Sequence, residues 1–165
     1  MMGLEMRLAS LMCATPTSVA VALCSAALAL TVMPSAQAQK ITPFVVAGDA
    51  IPAPLAGLSG DPARGKALAF DPERGNCTIC HPVPGGDPRV QGNVGPPLAG
   101  VGERLTTGQL RLRLVDGTRI NPATIMPPYH RVDGLHRVGR EWAGKPVLDA
   151  QQVEDIVAFL ATLKQ

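Results

Sequence analysis

Six consecutive residues, Asn76-Cys77-Thr78-Ile79-Cys80-His81, restrict this chain more than any other stretch. They place two thiols three positions apart, followed at once by an imidazole. On about one helical turn the two sulfurs face the same way. Both can then add to vinyl groups along one edge of a planar macrocycle, while the adjacent imidazole reaches a metal at its centre. The pattern is C-x-x-C-H, that of covalent c-type haem attachment. Three other readings use the same residues. A thioredoxin-like redox pair needs a βαβ setting, which the surrounding Gly and Pro do not supply. A structural zinc site needs a fourth ligand and usually a second cysteine pair or paired histidines. A plain disulfide leaves His81 without a role.

The N-terminus has the layout of an export signal. Arg7 lies ahead of an almost uninterrupted apolar run over residues 19–32, and Ala36-Gln37-Ala38 fits a small-x-small cleavage site. The run is short of the roughly 20 apolar residues that a membrane-spanning helix needs. The expectation is a cleaved signal over residues 1–38, a mature chain that starts at Gln39, and a periplasmic location without a membrane anchor. Cleavage also removes Cys13, Cys24, Met1, Met2, Met6, Met12 and Met33, so the mature chain keeps only Cys77, Cys80 and Met126. Every remaining thiol is then in the motif.

The mature chain has room for one domain. A formal charge of +2 with scattered basic residues excludes nucleic-acid binding as a main role. With 17 Gly, 16 Pro, three Phe, one Tyr and one Trp, the chain calls for long connections and short helices around something other than an aromatic core. Residues 39–60, rich in proline and free of periodicity, read as an extended arm with too few apolar residues to build a core of its own. Residues 61–165 read as the domain. Asp61-Pro62 opens a short helix through Phe70. Thr106 or Thr107 caps a second, which carries Leu110, Leu112, Leu114 and Val115 and ends near Asp116-Gly117. Asp149 caps a third, with Val153, Ile156, Val157, Leu160 and Leu163 on one stripe and Glu154, Asp155 and Thr162 largely off it. No strand pattern of useful length occurs, so the fold class is all-α.

A haem iron held by His81 has a sixth position, and its occupant separates electron carriers from ligand-binding haem proteins. Met126, in the proline-bounded Ile125-Met126-Pro127-Pro128 loop, is the expected ligand. Gap-filling in the core is the alternative role for a lone methionine. His130 and His136 are rival ligands, set in a basic stretch where surface histidines are common. Arg131, Arg137 and Arg140 in that stretch are candidates for pairing with haem propionates, for docking an acidic partner, or for a solvated loop. Trp142 reads as a packing residue.

The short helix before C-x-x-C-H, the Gly-Pro loop after it, the late Met on a proline loop and the amphipathic last helix resemble class I cytochrome c. More narrowly, several segments resemble the SoxX family of bacterial sulfur-oxidation cytochromes. These are Gly92-Asn93-Val94-Gly95-Pro96-Pro97-Leu98, Asn121-Pro122 through Met126-Pro127-Pro128-Tyr129, and Gly144-Lys145-Pro146-Val147-Leu148 through Leu160. The resemblance covers most of residues 61–164.

It implies one haem c, bound through Cys77 and Cys80 with His81 and Met126 as iron ligands. It also implies a heterodimer with a SoxA-like haem subunit. Such a complex acts as an L-cysteine S-thiosulfotransferase, joining thiosulfate oxidatively to a cysteine of a carrier protein, and this subunit accepts the electrons. No catalytic residue is expected in this chain. A free-standing soluble electron shuttle would use the same haem and ligands.

Overall fold

The computed structural model describes residues 41–165; the signal sequence and its cleavage site lie outside them. Four α-helices follow in order, α1 (Pro62–Phe70), α2 (Val101–Arg104), α3 (Thr107–Asp116) and α4 (Ala150–Thr162). Short 3₁₀ turns occur at Leu55–Gly57, Cys77–Ile79, Gly117–Arg119 and Arg140–Trp142. Among the described residues there is no strand, only an isolated bridge between Ala47 and Ala50. The all-α expectation holds.

The helices begin where side chains satisfy their free N–H groups. Asp61 Oδ1 accepts from the N–H groups of Ala63 and Arg64 at 2.8 and 2.9 Å, with Pro62 in the first turn. Thr106 with Gln109 and Asp149 with Gln152 form reciprocal capping boxes on α3 and α4. α1 packs closely on α4, because Gly65 rests on the backbone of Asp155 where a Cβ would strike the carbonyl. α3 packs on α4 as well, and Leu112, Val115, Val153 and Ile156 are buried between the elements.

Two features differ from the sequence reading. Glu154 and Asp155, expected off the apolar stripe of α4, are 3% and 2% exposed. Buried carboxylates are tolerated when paired. Glu154 accepts from Arg111 Nε and Nη2 at 2.6 and 2.8 Å and from the Leu55 N–H at 2.9 Å. Asp155 accepts from Arg64 Nε and Nη2, both at 2.8 Å, and from the Asp61 N–H at 2.7 Å.

The second difference concerns the proline-rich segment. Residues 41–60 lie against the domain they precede: Ile51 and Leu55 are each 1% exposed and belong to its core. The Ile51 N–H donates to Gly108 O at 3.0 Å, and Ile51 O accepts from Arg111 Nη1 at 2.7 Å. Two buried aliphatic side chains and a shared ion pair make this stretch part of the fold.

Candidate functional site

The cysteine motif begins from a tight turn. Asn76 takes a left-handed conformation, φ 44° and ψ 41°, and the Cys77–Ile79 turn follows. The His81 N–H then donates to Cys77 O at 2.9 Å, which sets Cys77, Cys80 and His81 on one turn of chain. The Gly- and Pro-rich segment beyond the motif folds back on it. The N–H groups of Gly92, Gly95 and Leu98 donate to Thr78 O, Cys80 O and Pro82 O at 2.8, 2.8 and 2.9 Å. Gln91 adds a two-way bridge to the backbone of Val83. These bonds hold a stretch that regular structure does not.

That return places Pro96 O 2.7 Å from His81 Nδ1. A carbonyl only accepts, so Nδ1 carries the proton and Nε2 keeps its lone pair for a metal. Gly95 lies flat against the His81 ring, where a Cβ would collide with the imidazole. The ring is thus fixed in tautomer and in orientation.

Cys77, Cys80, His81 and Met126 all line one cavity of about 550 Å³, within the range of cofactor sites. Its walls are mostly apolar: Leu110 and Leu114, one turn apart on α3, face it together with Leu98 and Leu160. Tyr129 is buried in its wall, and the hydroxyl donates to Gly75 O at 2.8 Å. Two cationic side chains, Arg104 and Arg113, also line it. Neither stood out in the sequence. Arg131 instead pairs with Asp116 at 2.9 Å, while Arg137 and Arg140 are exposed, and none of the three lines the cavity.

The rival readings fare differently. Cys77 and Cys80 are free, without a disulfide between them. Burial pushes the Cys77 thiol up to about 11, opposite to the lowered value that a redox-active thiol needs. Among the described residues no three His, Cys, Asp or Glu side chains cluster as a metal site. His130, expected at the surface, is completely buried. Its Nδ1 donates to Leu148 O at 2.8 Å and its Nε2 accepts from the Thr42 N–H at 3.0 Å, so neither nitrogen is free for iron. His136 is exposed and Trp142 partly buried.

An apolar cavity that joins two thiols, an oriented imidazole and a thioether fits a covalent haem. Residues 62–164 match the cytochrome c family. The chain belongs to the cytochrome c family. One chain of the crystal structure of SoxXA from P. pantotrophus is similar to it, with 39% identity, a TM-score of 0.66, and coverage of 74% of this chain and 95% of that one. No protein among the curated ones matches. As a cytochrome c, the chain carries haem c with its iron as cofactor and serves electron transfer. No helix among the described residues is long and apolar enough to cross a membrane.

Proposed function

We propose that this cytochrome is the electron-accepting haem subunit of a periplasmic SoxAX-type complex. Its haem is covalently attached at Cys77 and Cys80, with His81 and Met126 as axial ligands. The observation that carries the site is the His81–Pro96 hydrogen bond at the wall of a cavity that Met126 also lines. When bound, the haem supplies an iron that takes up and releases one electron. His81 presents Nε2 in a fixed direction, and a thioether as second ligand raises the potential. Leu98, Leu110, Leu114 and Leu160 keep water away, and Arg104 and Arg113 offer positive charge for the propionates.

The likeness to the SoxXA chain supports a SoxA-like partner. Joining thiosulfate to a carrier-protein cysteine forms one S–S bond and releases a proton and two electrons. These would pass one at a time to a haem held by Cys77, Cys80, His81 and Met126, the first moving on to a downstream acceptor before the second arrives. Thioether formation uses both thiols of the site, so the sulfur chemistry belongs to the partner. Co-expression with a SoxA-type subunit tests this: a haem-bearing heterodimer that is reduced by thiosulfate in the presence of the carrier protein is expected. A haem protein that purifies alone and is reduced without the partner would establish the free-standing shuttle instead.

A further inference from the structure

Tyr129 stands where three parts of the chain meet. Its backbone N–H donates to Leu114 O of α3 and its carbonyl accepts from the Leu148 N–H just before α4, both at 2.9 Å. Its side chain crosses the cavity wall to the Gly75 carbonyl at 2.8 Å, two residues before Cys77. Among the described residues no other donor reaches that carbonyl. Gly75 is also held through its own N–H, which donates to Leu68 O of α1 at 3.1 Å. The phenol therefore anchors to a fixed point at the start of the attachment motif.

Met126 lies three residues earlier, separated from Tyr129 only by Pro127 and Pro128. Each proline locks its φ, so the segment has little slack, and a displacement of Tyr129 carries over to Met126. We infer that Tyr129 is a positioning residue: its Tyr129–Gly75 hydrogen bond sets the spacing between the attachment motif and the Met126 loop, and so keeps the thioether seated at the iron. Burial holds the phenol above its ordinary pKa, so it stays a donor across the working pH range. The inference rests on the proposed ligation by Met126.

Imidazole titration of the oxidised holoprotein, followed through the sulfur-to-iron charge-transfer band, separates the two ideas. Tyr129→Phe keeps the ring but leaves the Gly75 carbonyl unpaired. It should bind imidazole roughly tenfold more tightly than the wild type, equivalent to about 1.4 kcal/mol. Ile156→Val, a core change away from the cavity, should stay within about twofold. Wild-type affinity in Tyr129→Phe, with the band present, would overturn the tether and leave Met126 as ligand. A wild type without the band, whose imidazole affinity Met126→Ala does not change, would overturn the ligation itself.

If Tyr129→Phe does not yield folded holoprotein, the chain's single tyrosine allows a second approach. Biosynthetic replacement by a ring-fluorinated tyrosine alters only this position and makes the phenol a stronger donor. Imidazole should then bind more weakly than to the wild type, and equal or tighter binding would overturn the tether.

Discussion

Replacing Arg111 by Met tests how the segment before α1 is joined to the domain. Arg111 and Glu154 are each 3% exposed, and Arg111 makes three hydrogen bonds, two to Glu154 and one to Ile51 O. Met fills a similar volume but leaves the Glu154 carboxylate buried with only the Leu55 N–H as partner. Removing one member of a buried pair costs about 3–5 kcal/mol, against a total stability of about 5–15 kcal/mol for a domain. In urea, where such a domain loses about 1–3 kcal/mol per molar, the midpoint should fall by about 2 M at unchanged slope. Urea unfolding followed by far-ultraviolet circular dichroism measures this, and limited proteolysis should show earlier cleavage within residues 41–60. Arg89→Met, which removes an exposed pair with Asp87, is the control and should shift nothing measurable. A loss below about 1 kcal/mol in Arg111→Met would refute the reasoning that this pair bears on stability.

Gly95→Ala should push the His81 ring off its position and reduce the yield of low-spin holoprotein, as seen in the visible spectrum of the purified chain. His130→Ala should cost about 1–3 kcal/mol for the buried Leu148 O left unpaired and less for the part-buried Thr42 N–H, while the charge-transfer band stays unchanged; a wild type without the band, whose visible spectrum changes in His130→Ala, would return His130 to the ligand set. For Asp155, burial works against the charged form, but the Arg64 side chain, the Asp61 N–H and Gln151 together outweigh it and hold the carboxyl below its ordinary value. A depressed carboxylate contributes stability that is fully present above its unfolded pKa of about 3.9 and is lost as pH falls through the lower folded value. Asp155→Asn should therefore flatten the acid limb of the stability curve below about pH 4, and an unaltered limb in acid titration of unfolding would exclude this contribution.

The elements most legible in the sequence were those fixed by local chemistry. Asp61-Pro62, Thr106 or Thr107, and Asp149 are short-range caps, and the structure begins helices after Asp61, Thr106 and Asp149, adding Gln109 and Gln152 as reciprocal partners that the sequence reading does not include. C-x-x-C-H needs only neighbouring residues to be recognised. What escaped depends on distant partners. Glu154 and Asp155 look like solvent-facing charges until Arg111 and Arg64 arrive from 43 and 91 residues earlier in the chain. Ile51 and Leu55 lie among prolines without periodicity, so only their contacts with α3 and α4 identify them as core. The arginine-rich stretch is conspicuous in sequence by its density, whereas Arg104 and Arg113 line the cavity because α2 and α3 turn them towards it. His130 had a polar neighbourhood in sequence and a buried one in space, since Thr42 and Leu148 close over it from either side.

The central claim is that Cys77, Cys80 and His81 form the attachment site of a covalent haem, and mass spectrometry of the denatured chain tests it most directly. Digestion of the protein purified from the periplasm should yield a peptide containing Cys77-Thr78-Ile79-Cys80-His81 with one haem attached through both sulfurs. The same peptide with two free thiols, or with a Cys77–Cys80 disulfide and haem released on denaturation, would contradict the account.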